Sequence, residues 1–360
     1  MSAPVEDSVS DVADPAPPRV PVLRTRSGAV SLRVHPRSVA VGLGLVVVAV
    51  ALGAVAMTLG DLRLSVGQVL AILGGGGTRA QEFVVLGLRA PRVVLALVVG
   101  ACLGAAGAIF QSLARNSLAS PDLLGFTTGG ASGALIVIIG LGGTATGTTV
   151  GAVVGTLVTA LLVQALLGGA TSGYRLVLVG IGVNALLAAL NNVLILRTDL
   201  STAVAAQTWL VGSLNGRGWG EVVGVALALV LLLPPAVAVS RRLDLLGMGD
   251  DAARAVGVEV PRTRLITLLL GVALVGVATA SVGPIAFVAL AAPQLARRLT
   301  GTTGPGMVPA ALMGGLLLLA GDVLGQRLVA PSQVPAGTMT AAIGGLYLVW
   351  LLAREWRAGR

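Results

Sequence analysis

Apolar residues gather in ten runs, roughly 38–58, 92–112, 123–141, 147–168, 175–196, 220–239, 263–283, 285–299, 308–329 and 336–354. A helix needs about 20 mainly apolar residues to cross the hydrocarbon core of a bilayer. In lipid the backbone must satisfy its own hydrogen bonds, so runs of this length become helices. Only 11% of the 360 residues are charged and 55% are hydrophobic, whereas soluble domains are about a quarter charged. The expected fold is an all-α polytopic membrane protein with about ten transmembrane helices. The run at 285–299 is short, and a steep or partly re-entrant path is expected for it. Many of the 51 glycines fall inside these runs. Gly100 and Gly104, and the series Gly147, Gly151 and Gly155, put small residues on one helix face, which lets helix backbones approach closely in lipid.

The 24 basic residues are all arginine, and the net charge is +9. A basic balance can indicate nucleic acid, but these arginines follow membrane topology, so no nucleic-acid partner is expected. With the amino terminus inside and ten crossings, 17 arginines fall on one side and 7 on the other. By the positive-inside rule both termini are expected in the cytoplasm, with the chain multi-pass in the plasma membrane. Residues 1–37, rich in Pro, Ser and charge, lack the apolar density to fold alone and are expected to form a disordered cytoplasmic arm. Its basic part, Arg19 to Arg37, suits the anionic lipid of the inner leaflet. Acids and prolines stand where a signal peptide carries a short basic head. Residues 38–354 form the membrane domain and 355–360 a cytoplasmic tail. Residues 59–91, with a "GGGG" turn at 74–77, and 197–219 are expected as outer loops, with Trp209 and Trp219 at the membrane interface.

Much chemistry is excluded. Without lysine there is no P-loop and no Schiff base. Cys102 and His35 are each alone of their kind, too few for a zinc or haem site or a catalytic triad. No cofactor, no metal site and no enzymatic activity are expected. Asp322 is a carboxylate inside an expected span, near its outer end. Asn184, Asn191, Asn192, Gln111 and Gln164 read as interhelical hydrogen-bonding groups. The chain thus offers a path without an energy source, which points to an energy-supplying partner. Two rivals stand beside this reading. An ion-coupled secondary transporter would use Asp322, and a scaffold or sensor subunit would have no ATPase partner.

One segment breaks the pattern: "SRRLDLLGMGDDAARAVGVEVPRTR", residues 240–264. From 241 on it carries five arginines and four acids. A segment that only anchored topology would be basic, not mixed. Asp250 is expected to cap a short helix, with Asp251 suited to its positive end. Gly257 is expected to close that helix in the left-handed conformation after about two turns. Ala252, Ala253, Ala255 and Val256 are small enough to enter a groove, and Pro261 is expected to stop the segment. By form alone, a docking helix and a solvated linker remain equal readings.

The segment resembles the coupling loop of the FecCD family, the permease subunits of iron-siderophore, haem and cobalamin ABC importers. Further blocks follow in the family order. They are "RAPRVVLALVVGACLGAAGAIFQSLARNSLASPDLLGFTTGGASGAL" (89–135), "WLVGSLNGRGW" (209–219), "VGPIAFVALAAPQLARRLTG" (282–301) and "GDVLGQRLVAPSQVPAGTMTAAIGGLYLVWLL" (321–352). The sequence departs from the family at Ser117, where Pro is usual, at Gln294 for His, at Gln333 for Glu and at Leu346 for Pro.

The resemblance implies a type II ABC importer permease architecture. It implies a second permease subunit, identical or paralogous, and two copies of an ATP-binding subunit. An extracellular substrate-binding lipoprotein or periplasmic binding protein would complete the assembly. Asp250, Asp251, Ala252, Ala253, Arg254, Ala255, Val256, Gly257 and Val258 would then lie in an ATPase groove. Arg89 and Arg92 match the family's Arg-x-Pro-Arg pair, which receives the binding protein. The third such position is Gln326, with Arg327 one place on. Asn116 and Leu118 match a position at the inner gate; a second inner constriction, near Gly173 and Tyr174, does not match. The implied cargo is a metal chelate, with ferric siderophore first and cobalamin or haem as alternatives.

Overall fold

The computed structural model describes residues 22–24, 31–33, 36–60, 62–168, 173–302, 304–328 and 332–358. Most of the arm foreseen over 1–37, its expected disorder included, lies outside them, as do 359–360. Within the arm, β1 (Val22–Arg24) and β2 (Ser31–Arg33) pair antiparallel. The remainder is helical: α1 (Pro36–Thr58), α2 (Val66–Leu73), α3 (Arg79–Glu82), α4 (Ala90–Ala114), α5 (Phe126–Gly140), α6 (Ala145–Leu167), α7 (Gly173–Leu196), α8 (Leu200–Leu210), α9 (Trp219–Gly247), α10 (Asp250–Ala255), α11 (Val260–Val282), α12 (Val288–Thr300), α13 (Met307–Arg327) and α14 (Ala336–Ala358).

Each apolar run lies on a helix, but not every helix can cross a bilayer by itself. Seven are long and apolar enough: α1, the continuous stretch Arg79–Ala114, α6, α7, α9, α11 and α13. α5 and residues Ala336–Trp350 of α14 are shorter apolar helices. The run at 285–299 becomes α12, whose 13 residues span only about 20 Å against a core of about 30 Å. The chain enters it through Phe287 in the left-handed conformation, φ +68°.

The two segments expected as outer loops contain helices. Ser65 and Gln68 form a reciprocal capping box at the start of α2, and Thr78 and Gln81 form another at α3. Each box satisfies two backbone donors that a helix start leaves open. From α3 a π-helical stretch, Phe83–Arg89, runs straight into α4. Asp199 caps α8 by accepting from the Thr202 N–H at 3.0 Å. Trp219 is exposed and donates Nε1–H to Leu86 O at 2.8 Å, whereas Trp209 packs beside Ala134, Ala152 and Ala280.

α4 is the central helix, with α13, α11, α9 and α12 around it. Its glycines explain how it fits there. A Cβ on Gly100 would lie 2.3 Å from Gly314 O, and one on Gly104 2.1 Å from Ala310 O, both on α13. The α5–α6 pair packs the same way, with Gly151 and Gly155 against Gly133. Phe110 and Phe126 stack at 5.1 Å between these two units. α1 and α7 lie outermost, only 17% buried along their apolar windows.

Direction along the bundle positions the site. Arg37 Nε donates to Leu299 O at 2.8 Å, so the start of α1 meets the end of α12. Leu348 of α14 lines the same cleft as Arg115, Asp244 and Arg298. The start of α1, the end of α4, α10 and the later part of α14 therefore share one end of the molecule, here the α10 end. Arg89, Arg92 and Asp322 lie at the opposite end, one full helix away.

Candidate functional site

α10 has six residues, less than the two turns expected, and its N-cap is Gly249 at φ +112°, not Asp250. A left-handed glycine can take this sharp entry, and Asp250 becomes the first helical residue. Its carboxylate is engaged elsewhere. Oδ1 accepts from Arg115 Nη2 at 2.5 Å and from Arg264 Nη2 at 2.8 Å. Asp251 pairs instead with Arg254 at 2.8 Å, fully in solvent. The far end closes as the sequence suggests. Gly257 takes φ +85°, its N–H donates to Arg254 O, and the Val258 N–H donates to Ala253 O. Ala253 and Val258 are buried and Ala252 is half-buried. The face left open consists of Asp251, Arg254, Ala255, Val256 and Gly257. Pro261 lies in the first turn of α11, where a missing N–H costs nothing. It begins the next helix and does not simply end the segment.

Through Asp250, α10 is tied to the turn that follows α4. Arg115 ends α4 in the left-handed conformation, φ +50°. The Asn116 Oδ1 then accepts from the Leu118 N–H at 2.9 Å, and the Leu118 side chain is exposed. Gln294 of α12 donates to Ser117 O at 2.8 Å, so two of the departures from the family pattern lie against each other. Behind them Gln111 accepts from Arg297 and donates to Leu290 O. These groups line a cleft of about 620 Å³, which Leu243, Asp244, Arg298 and Leu348 complete.

The sequence reading placed Asn116 and Leu118 here. It missed Arg297, Arg298 and Gln294 as their neighbours, treating the arginines as topology markers. The available signal was the i, i+3 spacing of Gln294 and Arg297, which sets them on one helix face.

At the opposite end, Arg92 is held by Asp322 in a two-pronged pair, Nε to Oδ2 and Nη2 to Oδ1, each 2.9 Å. The Asp322 side chain is 2% exposed. Gln326, the third docking position suggested by the resemblance, turns inward to Asp322 Oδ2 at 2.8 Å. The remaining Arg92 nitrogen, Nη1, reaches Gln333 at 3.2 Å and Asn215 at 3.5 Å. Arg89 donates to Met57 O and Leu62 O, both at 2.6 Å, and so fastens the end of α1. Arg327 is exposed. The three arginines thus gather at one end, but Arg89 and Arg92 are both bonded within the chain.

Of the other polar candidates, Asn184 accepts from the Thr128 hydroxyl at 2.5 Å, an interhelical bond as expected. Asn191 is buried, with no partner for its Oδ1 among the described residues. Gln164 and Asn192 face outward.

A bundle of this kind, with a short exposed helix tied to a cleft at one end and arginines at the other, fits a polytopic helical membrane protein. The chain belongs to the FecCD transport family, whose model matches residues 45–354. It is 45% identical over 299 residues to the ferric enterobactin transport system permease protein FepG of Escherichia coli, covering 83% of this chain and 91% of FepG. It is 36% identical to the probable siderophore transport system permease protein YfhA of Bacillus subtilis (77% and 84%) and 35% identical to the hemin transport system permease protein HmuU of Yersinia pestis (75% and 83%). Among solved structures it resembles an inward-facing metal-chelate type ABC transporter, with a TM-score of 0.80 and 26% identity over 88% of this chain and 99% of the other.

Proposed function

We propose that this chain is the membrane-spanning subunit of an ABC importer that moves a ferric siderophore across the plasma membrane. Energy comes from ATP hydrolysis on two partner subunits. A second permease chain completes the pathway, and a substrate-binding protein delivers the cargo. The observation that carries this reading is the tie from the open face of α10, through Asp250, to Arg115 and the Asn116–Leu118 turn. A partner that pushes on α10 has a short route to a turn beside a cleft. Family membership supports the rest of the assembly, and the siderophore permeases among the relatives support the cargo.

In this reading Asp251, Arg254, Ala255, Val256 and Gly257 meet the ATPase. Ala252, Ala253 and Val258 seat the helix on its own chain, and Asn116 and Leu118 form the inner gate. The arginine distribution supports a cytoplasmic α10 end with both termini on that side. At the other end Arg327 and the exposed edge of Arg92 offer positive charge to an acidic binding protein. Such pairs set orientation and encounter rate more than affinity, while Arg89 acts from behind by holding the end of α1. The chelator supplies every metal ligand, so the permease contributes passage and no coordination.

The test is reconstitution with candidate ATP-binding and binding-protein subunits in proteoliposomes, followed by ferric-siderophore uptake. Uptake that requires ATP and all partners is the expected result. Full-rate uptake by this chain alone, or on an ion gradient, would overturn the proposal.

A further inference from the structure

The cleft at the α10 end differs in charge from the rest of the membrane domain. Arg115, Arg297 and Arg298 line it, against one carboxylate, Asp244. Arg115 is paired with Asp250, a carboxylate it shares with Arg264. Arg297 donates to the neutral Gln111 amide and not to a carboxylate, and Arg298 is exposed. Arg297 and Arg298 therefore outweigh Asp244. Asn116 uses only its Oδ1 within the turn, which leaves its Nδ2–H₂ group out of that turn as a further donor. The remaining wall mixes the apolar Leu118, Leu243 and Leu348 with neutral polar groups, Ser112, Ser117 and Gln294 among them. A cavity of about 620 Å³ falls within the size of sites that hold ligands of several hundred daltons. Positive charge at the edge of a low-dielectric membrane domain acts more strongly than it does in water.

We infer that this cleft selects metal chelates by charge: it holds a chelate with net negative charge, of the tris-catecholate type, and has no preference for a neutral tris-hydroxamate. The inference rests on the proposed ferric-siderophore cargo and adds its chemical class. A tris-catecholate complex of Fe³⁺ presents anionic oxygens at its surface and flat aromatic edges. The first suit Arg297, Arg298 and the Asn116 amide, and the second suit the leucines. A neutral hydroxamate complex offers the arginines no charge. The other anion of suitable chemistry is the phosphate of an acidic lipid, and the experiment separates the two.

The permease is purified with its ATP-binding subunits. Binding of a ferric tris-catecholate and of a neutral ferric tris-hydroxamate is measured by equilibrium dialysis at low and high salt. Both substitutions chosen, Arg298→Gln and Asp244→Asn, fall on exposed side chains, so the fold stays intact. Catecholate binding is expected to weaken about two- to fivefold in R298Q and to tighten by a similar factor in D244N. High salt shrinks both effects, and hydroxamate binding stays unchanged. Equal binding of the two chelates, or equal shifts for both in the variants, overturns the inference. So does a retained phosphatidylglycerol that the catecholate cannot displace. If these binding results fail while ATP-driven uptake of a ferric chelate persists, only this inference falls. If the wild-type complex imports no ferric chelate, the proposed function falls and this inference with it.

Discussion

Arg115 and Asp250 lie 135 positions apart in the chain and meet at 2.5 Å, guanidinium to carboxylate. One belongs to the turn beside the cleft and the other to the short helix at the same end. Arg264 shares the same carboxylate oxygen, so α4, α10 and α11 meet at one acidic side chain. Replacing Asp250 with Asn leaves two arginines facing each other without a counter-charge. Hydrogen bonds to charged groups are worth about 1.5–3 kcal/mol each. D250N is therefore expected to retain assembly and ATP hydrolysis but to lose at least about tenfold in uptake, since about 1.4 kcal/mol is a factor of ten. Parallel ATPase and uptake assays in proteoliposomes check this; equal losses in both would argue against a coupling role.

Gly257 separates backbone conformation from side-chain contact. A Cβ there would meet nothing within 4 Å, yet φ is +85°. Within the chain, only the left-handed backbone restricts this position. Gly257→Val forces a β-branched residue into that region at a cost of about 1–3 kcal/mol, whereas Gly257→Asn tolerates it. G257V is expected to uncouple ATP hydrolysis from uptake, and G257N to keep most of both. Similar uptake by the two variants would remove the importance assigned to this helix end.

The sequence made the helices legible because lipid leaves few alternatives for an apolar run. The left-handed end at Gly257 was legible because glycine there has a specific backbone use. The capping boxes Ser65–Gln68 and Thr78–Gln81 were also readable, since both follow the S/T-x-x-Q pattern. They were passed over because a segment between two spans suggested a loop. Asp250 misled for a different reason. Its residue type suits an N-cap, but its carboxylate is claimed by arginines 135 and 14 positions away. The cleft stayed hidden likewise, because Arg297 and Asn116 come together only through the packing of α12 against α4.

The Arg92–Asp322 pair spans 230 positions and bears on the rival ion-coupled mechanism. A carboxylate 2% exposed and gripped twice by a guanidinium reads as structural. Breaking such a pair on one side costs about 3–5 kcal/mol, whereas replacing both partners with apolar residues can be neutral. Asp322→Asn or Arg92→Met alone is expected to lower thermal stability sharply, and the double variant R92M/D322M to recover most of it. Unfolding in detergent and ATP-driven uptake measure the two aspects together. A D322N protein with unchanged stability and abolished transport would revive the ion-coupled reading.

Asp122 lies in the turn before α5, outside the spanning helices. Burial pushes its carboxyl up to about 6, although it accepts from the Thr127 hydroxyl and the Phe287 N–H. The unfolded value is 3.8. Between these two values the folded protein holds a proton that the unfolded chain has released. By linkage, this group's contribution to stability therefore rises as pH falls through about 6 and levels off below about 4. Other ionisable groups add their own pH dependence to the stability of the whole protein. The comparison is thus between wild type and Asp122→Asn, whose amide stays neutral at every pH. D122N is expected to melt higher than wild type at pH 7.5, with the gap closing towards pH 4.5. Melting curves of the two purified proteins at stepped pH measure it, and a gap that does not change with pH would rule out a titrating Asp122.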